Sequence, residues 1–115
     1  MPCRPPAIAQ AERRLNPRFH LRLPIQMQPD GVPAPLSLET SEISLSGCSV
    51  MVPDQLPVGT FLRIALSLDA TEIHLTGRVI TRHPHFGNGI MFLKFEEDGE
   101  TRLRRYLDEK LATDN

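Results

Sequence analysis

The chain has no tryptophan, one tyrosine and only two cysteines among its 115 residues. So few rings leave little for unpaired bases to stack on, which argues against a general RNA-binding barrel. Cys3 lies in a proline-rich stretch and Cys48 in an apolar one, so no disulfide framework is expected and a reducing, cytoplasmic setting fits. No apolar run approaches the roughly 18 residues that span a bilayer, and the N-terminus lacks the apolar core of a secretory signal, so no membrane insertion is expected. Neither sign of charge dominates: 13 basic and 14 acidic residues leave a net charge of −1. A DNA-binding surface normally needs a broad basic face, and none is expected. No acid–base pair or nucleophile context stands out, and Ser44-Leu45-Ser46-Gly47 lacks the first glycine of a nucleophile elbow. The chain is therefore not expected to be an enzyme. Its histidines (His20, His74, His83 and His85) are joined by no Cys or carboxylate pattern at ligand spacing, so they read as surface residues and no metal is expected.

What charge there is lies unevenly. Residues 1–24 hold five arginines and one acid, whereas residues 96–115 hold seven acids and four bases. A localised basic arm on a near-neutral body favours a small anionic ligand. Residues 1–12 carry three prolines and no apolar period, and read as a flexible N-terminal tail.

From Phe19 the pattern changes. Phe19, Leu21, Leu23, Ile25 and Met27 alternate with His20, Arg22, Pro24 and Gln26, which predicts a half-buried strand with Pro24 at an edge or bulge. Pro29-Asp30-Gly31 marks a turn, and Leu36 to Thr40 resumes the alternation. The parity then slips, because Leu36 and Leu38 are even-numbered and Ile43 and Leu45 odd. A bend or bulge is predicted near residues 40–42. Further strands follow at Cys48–Val52, Leu62–Leu68, Ile73–Val79 and Ile90–Phe95, with turns at residues 53–59, 69–71 and 83–89. Only the end has a helical period: Asp98 can cap a helix in which Leu103, Tyr106, Leu107 and Leu111 share a face. The expected fold is all-β with a C-terminal helix, a small six-stranded antiparallel barrel whose closure removes exposed edges. One domain is expected over residues 13–111, with a short tail at 112–115.

Two clusters carry chemistry. In Arg13-Arg14-Leu15-Asn16-Pro17-Arg18, Pro17 restrains Asn16 toward an extended conformation, so the segment reads as a stiff loop. Guanidinium forks match both phosphate oxygens and the O6/N7 edge of guanine. In Glu42-Ile43-Ser44-Leu45-Ser46-Gly47, Gly47 permits an unusual backbone or a close approach and the serines offer hydroxyls. The Glu42 carboxylate is an acceptor suited to the N1–H and N2–H of a guanine. Taken singly, the first cluster reads as a solvated basic tail and the second as an ordinary bulge between strands.

Together, in order and context, they resemble the PilZ domain, the bacterial receptor module for cyclic di-GMP, with its RxxxR and [D/N]xSxxG motifs. Arg14 and Arg18 match the first motif, and Ser44 and Gly47 the second, where Glu42 stands in place of the usual Asp or Asn. Leu56-Pro57-Val58-Gly59-Thr60, Gly77-Arg78-Val79, Gly89-Ile90-Met91-Phe92 and Arg102–Leu107 extend the resemblance to the rest of the barrel and the helix. It implies a stand-alone receptor or adaptor that binds cyclic di-GMP through Arg13, Arg14, Arg18, Glu42, Ser44 and Gly47. Binding would order the arginine arm and signal to a protein partner in motility, exopolysaccharide or related regulation. Arginine at position 13 implies two ligand molecules per chain. The alternative within the same family is an interaction module that does not bind nucleotide.

Overall fold

A computed structural model describes residues 17–53, 56–83 and 87–114, with the side chains of 112–114 left aside. Six strands, β1 (Pro24–Pro29), β2 (Leu36–Ile43), β3 (Gly47–Val50), β4 (Phe61–Leu68), β5 (Thr71–His83) and β6 (Gly87–Phe95), close an antiparallel barrel in the order β1-β2-β3-β6-β5-β4. One helix, α1 (Gly99–Asp114), follows. This is the expected architecture, and α1 runs three residues into the stretch read as a C-terminal tail. The expected N-terminal tail, with Arg13 and Arg14, lies outside the described residues.

Period-two alternation fills the barrel. Ile25 and Met27 from β1, Leu62, Ile64 and Leu66 from β4, Ile73, Leu75 and Val79 from β5, and Ile90 from β6 all point inward and are buried. Leu103, Tyr106 and Leu107 bring the apolar stripe of α1 into the same core, and α1 packs against β5. The Asp98 carbonyl accepts the Arg102 N–H at 3.0 Å, as a residue immediately before a helix should. Its carboxylate takes the Arg102 guanidinium at 2.8 Å. That hydrogen bond holds the carboxyl below the usual carboxylate range. On β3, Cys48 turns inward and burial pushes its thiol up to about 12, so it behaves as a small apolar residue rather than a nucleophile.

The structure departs from the expected strand at residues 19–27. Phe19 makes an isolated antiparallel bridge to Ile43, residues 20–23 cross without a ladder, and β1 begins only at Pro24. The cause lies in β2, whose register against β3 shifts between Thr40 and Glu42, at the predicted bulge. There the fully buried Thr40 hydroxyl accepts the Leu23 N–H at 3.0 Å and donates to the Leu21 carbonyl at 2.7 Å. The Thr40 N–H donates to the Leu23 carbonyl at 3.0 Å. One side chain thus replaces ladder bonds that a continuous strand would have made. Pro24 is tolerated because it is the first residue of β1, whose pairing with β4 starts at Ile25.

A second difference concerns β6, which starts at Gly87 rather than Ile90. Gly87 has φ of 82°, and a Cβ there would enter the Val50 carbonyl oxygen, so a side chain has no room. Asn88 next to it is fully buried. Its amide donates to the Leu56 carbonyl at 3.0 Å and the Thr81 carbonyl at 3.2 Å, and accepts the Leu56 N–H at 2.8 Å. A residue pair that reads as a turn is instead a strand end that fastens the loop before β4.

The Thr40 contact yields a direct test. Thr40→Val keeps the shape but leaves the Leu21 carbonyl and Leu23 N–H without their hydroxyl partner, a loss of about 1–3 kcal/mol. The urea midpoint should fall with the slope unchanged, as for a pure change of stability. An unmoved midpoint would show that the arm is not held by this hydroxyl.

Candidate functional site

The Phe19–Ile43 bridge and the Thr40 clamp lay the incoming arm beside the second half of β2. Arg18 therefore arrives next to Glu42, with Nη1 3.4 Å from Oε1, and His20 follows with Nδ1 3.7 Å from Oε2. Arg18 is largely exposed and Glu42 partly so, at 75% and 30% of the side chain. An ion pair this open is worth at most about 1 kcal/mol. It orients the two groups without locking them, so either can be handed to a ligand.

Immediately after Glu42 the chain reverses through Leu45 and Ser46. The Ser44 N–H donates to the Gly47 carbonyl at 2.8 Å. Ser44 Oγ accepts the Ser46 N–H at 3.2 Å, lies 3.0 Å from Ser46 Oγ and reaches the Gly47 carbonyl at 3.4 Å. Ser44 is buried and its hydroxyl is occupied within the turn, whereas Ser46 is exposed. Gly47 is needed for close approach rather than for a left-handed backbone: a Cβ there would be driven into the Ile90 carbonyl oxygen on β6.

Arg18, Glu42, Ser44 and Gly47 all line one cleft of about 800 Å³ on the barrel exterior. Four of the six residues named from the sequence are thus brought together. The other two, Arg13 and Arg14, lie outside the described residues. The far wall was not read from the sequence: it is made by Met51, Ile80 and Met91, exposed apolar side chains after β3 and on β5 and β6. His20 was also missed as a cleft residue, although its place two positions after Arg18 in an alternating stretch was the available signal. The cleft therefore offers a cation and a carboxylate on one wall and an apolar surface on the other. This suits a ligand with an anionic edge, hydrogen-bond donors and a flat apolar face. A smaller hollow of about 500 Å³ beside the start of α1 is lined by Glu97 and Glu100 and holds none of the named arginines. Its carboxylates disfavour an anion.

Among the described residues no three His, Cys, Asp or Glu side chains converge as a metal site. His74 instead pairs with Glu72 at 3.2 Å. No described helix is long and apolar enough to cross a membrane.

The close approach at Gly47 is testable. Gly47→Ala must spread β3 from β6, because the obstructing atom is backbone, and strain of about 1–3 kcal/mol is typical of such overpacking. Chemical denaturation should show that loss. Wild-type stability in the alanine variant would mean that the two strands are not held this close.

Comparison with known proteins fits the geometry. The chain resembles the Bacillus subtilis inhibitor of motility MotI/DgrA, with a TM-score of 0.68 and 21% identity over 90% of this chain and 53% of that one. It spans about half the length of that protein. It also resembles the PilZ domain of CeSA from a cellulose-synthesizing bacterium, with a TM-score of 0.55 and 20% identity over 85% of this chain and 98% of that one. At these identities the likeness concerns the fold. No curated protein matches. The sequence profile of the PilZ domain matches residues 12–109, nearly the whole chain, and on that ground the chain belongs to the PilZ domain family.

Proposed function

We propose that the protein is a cytoplasmic cyclic di-GMP receptor that acts as an adaptor for a protein partner. PilZ is a cyclic di-GMP receptor family. The observation that carries the reading is the meeting of Arg18 and Glu42 at the mouth of one cleft, from segments 24 residues apart. In the proposed complex Arg14 and Arg18 grip phosphate oxygens and the O6/N7 edge of a guanine, and Glu42 accepts from its N1–H and N2–H. Ser44 and Gly47 shape the turn beneath. The nucleotide gathers the arginine arm over the cleft, which changes the surface offered to a partner in motility, exopolysaccharide or related regulation.

The Arg18–Glu42 pair supports a second effect, since the ligand must separate the two. Magnitudes decide which effect prevails. Releasing an exposed ion pair costs at most about 1 kcal/mol, whereas a charged hydrogen bond to guanine is worth about 1.5–3 kcal/mol. Glu42→Ala should therefore weaken binding, despite freeing Arg18. Glu42→Asp, with one rotor fewer to immobilise, should tighten it by about 0.5–1 kcal/mol. Tighter binding by the alanine variant would mean that Glu42 acts chiefly as a latch.

Calorimetric titration with cyclic di-GMP, with GTP and single-stranded RNA as controls, tests the whole reading. Arg14→Ala and Arg18→Ala should each cost about 1.5–3 kcal/mol of affinity and leave the fold intact. A wild-type titration without heat or saturation would favour the interaction module that does not bind nucleotide.

Stoichiometry is a separate expectation. With Arg13 beside the arginine pair, two cyclic di-GMP molecules per chain are expected, and Arg13→Leu should move the calorimetric endpoint from two toward one. An endpoint of one for the wild type would refute this.

A further inference from the structure

The exterior of β4, β5 and β6 carries a surface that nucleotide binding alone does not explain. Strand register places Phe61 beside Arg78, and Arg78 beside Met91, in one row across the barrel. At about 4.8 Å per strand, Phe61 and Met91 are roughly 10 Å apart. Ile80 and Leu93 continue the same strands. Val58 joins them, because the neighbouring Gly59 N–H is bonded to the Val79 carbonyl at 2.8 Å. These five apolar side chains are 40–61% exposed. Scattered exposed leucines or valines need no account, but a contiguous group of this kind marks a contact surface.

In the two rows Phe61–Arg78–Met91 and Arg63–Thr76–Lys94 the charged residues have one sign. Arg63, Arg78 and Lys94 project from β4, β5 and β6, and none of them is ion-paired with a described carboxylate. Arg78 lies over the Phe61 ring, 5.1 Å from its centroid, so cation and apolar surface form a single element. Acids lie outside these two rows: Glu72, four residues from Thr76 on β5, is paired with His74. Asp30 is tied by its N–H to the Phe61 carbonyl, and Glu97 and Glu100 share the hollow with Leu93 and Lys94.

We propose that this face docks an acidic amphipathic helix of a protein partner. The barrel is closed, so its strands offer no edge for strand addition and recognition must come from side chains. Exposed apolar groups interleaved with unpaired cations complement a helix with an apolar stripe flanked by carboxylates. The chain's own N-terminal segment is a poor occupant, since residues 1–16 hold three arginines and one glutamate and share the sign of the face.

The test is a nuclear magnetic resonance titration of the full ¹⁵N-labelled chain with three synthetic helical peptides. The first has leucines at i, i+3, i+4 and i+7 with glutamates between them. The second replaces glutamate by lysine, and the third replaces leucine by alanine. The first should shift amides around Phe61, Arg78 and Met91. Phe61→Ser and Arg63→Glu, both at exposed positions that leave the core intact, should each weaken that binding at least fivefold. Equal binding of the lysine peptide, or shifts confined to another face, would overturn the proposal. So would concentration-dependent self-association of the wild type that Phe61→Ser abolishes, since the occupant would then be a second copy. A paramagnetic label on Cys3, selective because the Cys48 thiol is buried, checks the remaining occupant. Broadening of the Phe61 and Met91 amides by that label would assign the face to the chain's own N-terminus.

Discussion

Everything at the cleft depends on the bulge in β2 and on the buried hydroxyl that exploits it. An antiparallel strand with unbroken register would carry its inward and outward faces unchanged to its end. Here the register shifts between Thr40 and Glu42. Thr40 turns inward, where its hydroxyl meets the backbone of Leu21 and Leu23, and Ile43 still reaches the core. Glu42 is left facing out, beside the arm that Thr40 has just fixed. A polar side chain in an apolar barrel is normally a cost, but here every buried side-chain polar atom in the described residues has a partner. The same three-way contact therefore satisfies Thr40, delays the start of the first strand to Pro24 and delivers Arg18 to Glu42.

The residues of the two motifs divide their labour accordingly. Arg18 and Glu42 keep their charged ends accessible and have chemistry to offer. Ser44 and Gly47 do not: one has its hydroxyl occupied inside the turn, and the other exists to let β3 approach the Ile90 carbonyl. A serine and a glycine at this spacing therefore shape the cleft through the turn and the strand packing rather than through exposed polar groups. The spacing is as much a statement about packing as about recognition.

Much of this was legible in the sequence where a single periodicity ruled. The six strands, the bulge and the Asp98 start of the helix follow from parity, turn residues and capping chemistry. The misread stretches are those where a tertiary contact overrides local pattern. Residues 19–23 alternate like a strand, yet their backbone is met by a side chain 17–19 residues away. Gly87-Asn88-Gly89 looks like a turn because glycine and asparagine favour turns, yet here glycine admits a neighbouring backbone and asparagine replaces it with an internal amide. Met51, Ile80 and Met91 were invisible as a cleft wall for another reason. Parity turns Ile80 and Met91 outward, next to the buried Val79 and Ile90, but only the folded barrel brings them together with Met51, which follows β3.

The register also places the two surfaces of the molecule in contact. Ile80 and Met91 belong to the far wall of the cleft and, at the same time, to the apolar row that continues through Arg78 to Phe61. Under the proposed function, a nucleotide seated against Met91 would cover part of the face offered to a partner helix and bring phosphate charge close to Arg78. Both effects act on the same docking energy. The apolar loss is graded by how much of Met91 and Ile80 is covered, and the electrostatic loss by salt screening over about 8–10 Å. A short barrel has little room for a mechanical relay, and none is required here. Under that function, coupling between ligand and partner would follow from two sites sharing the outward side chains of β5 and β6, and its size would be set by their difference in contact with the partner in the two states.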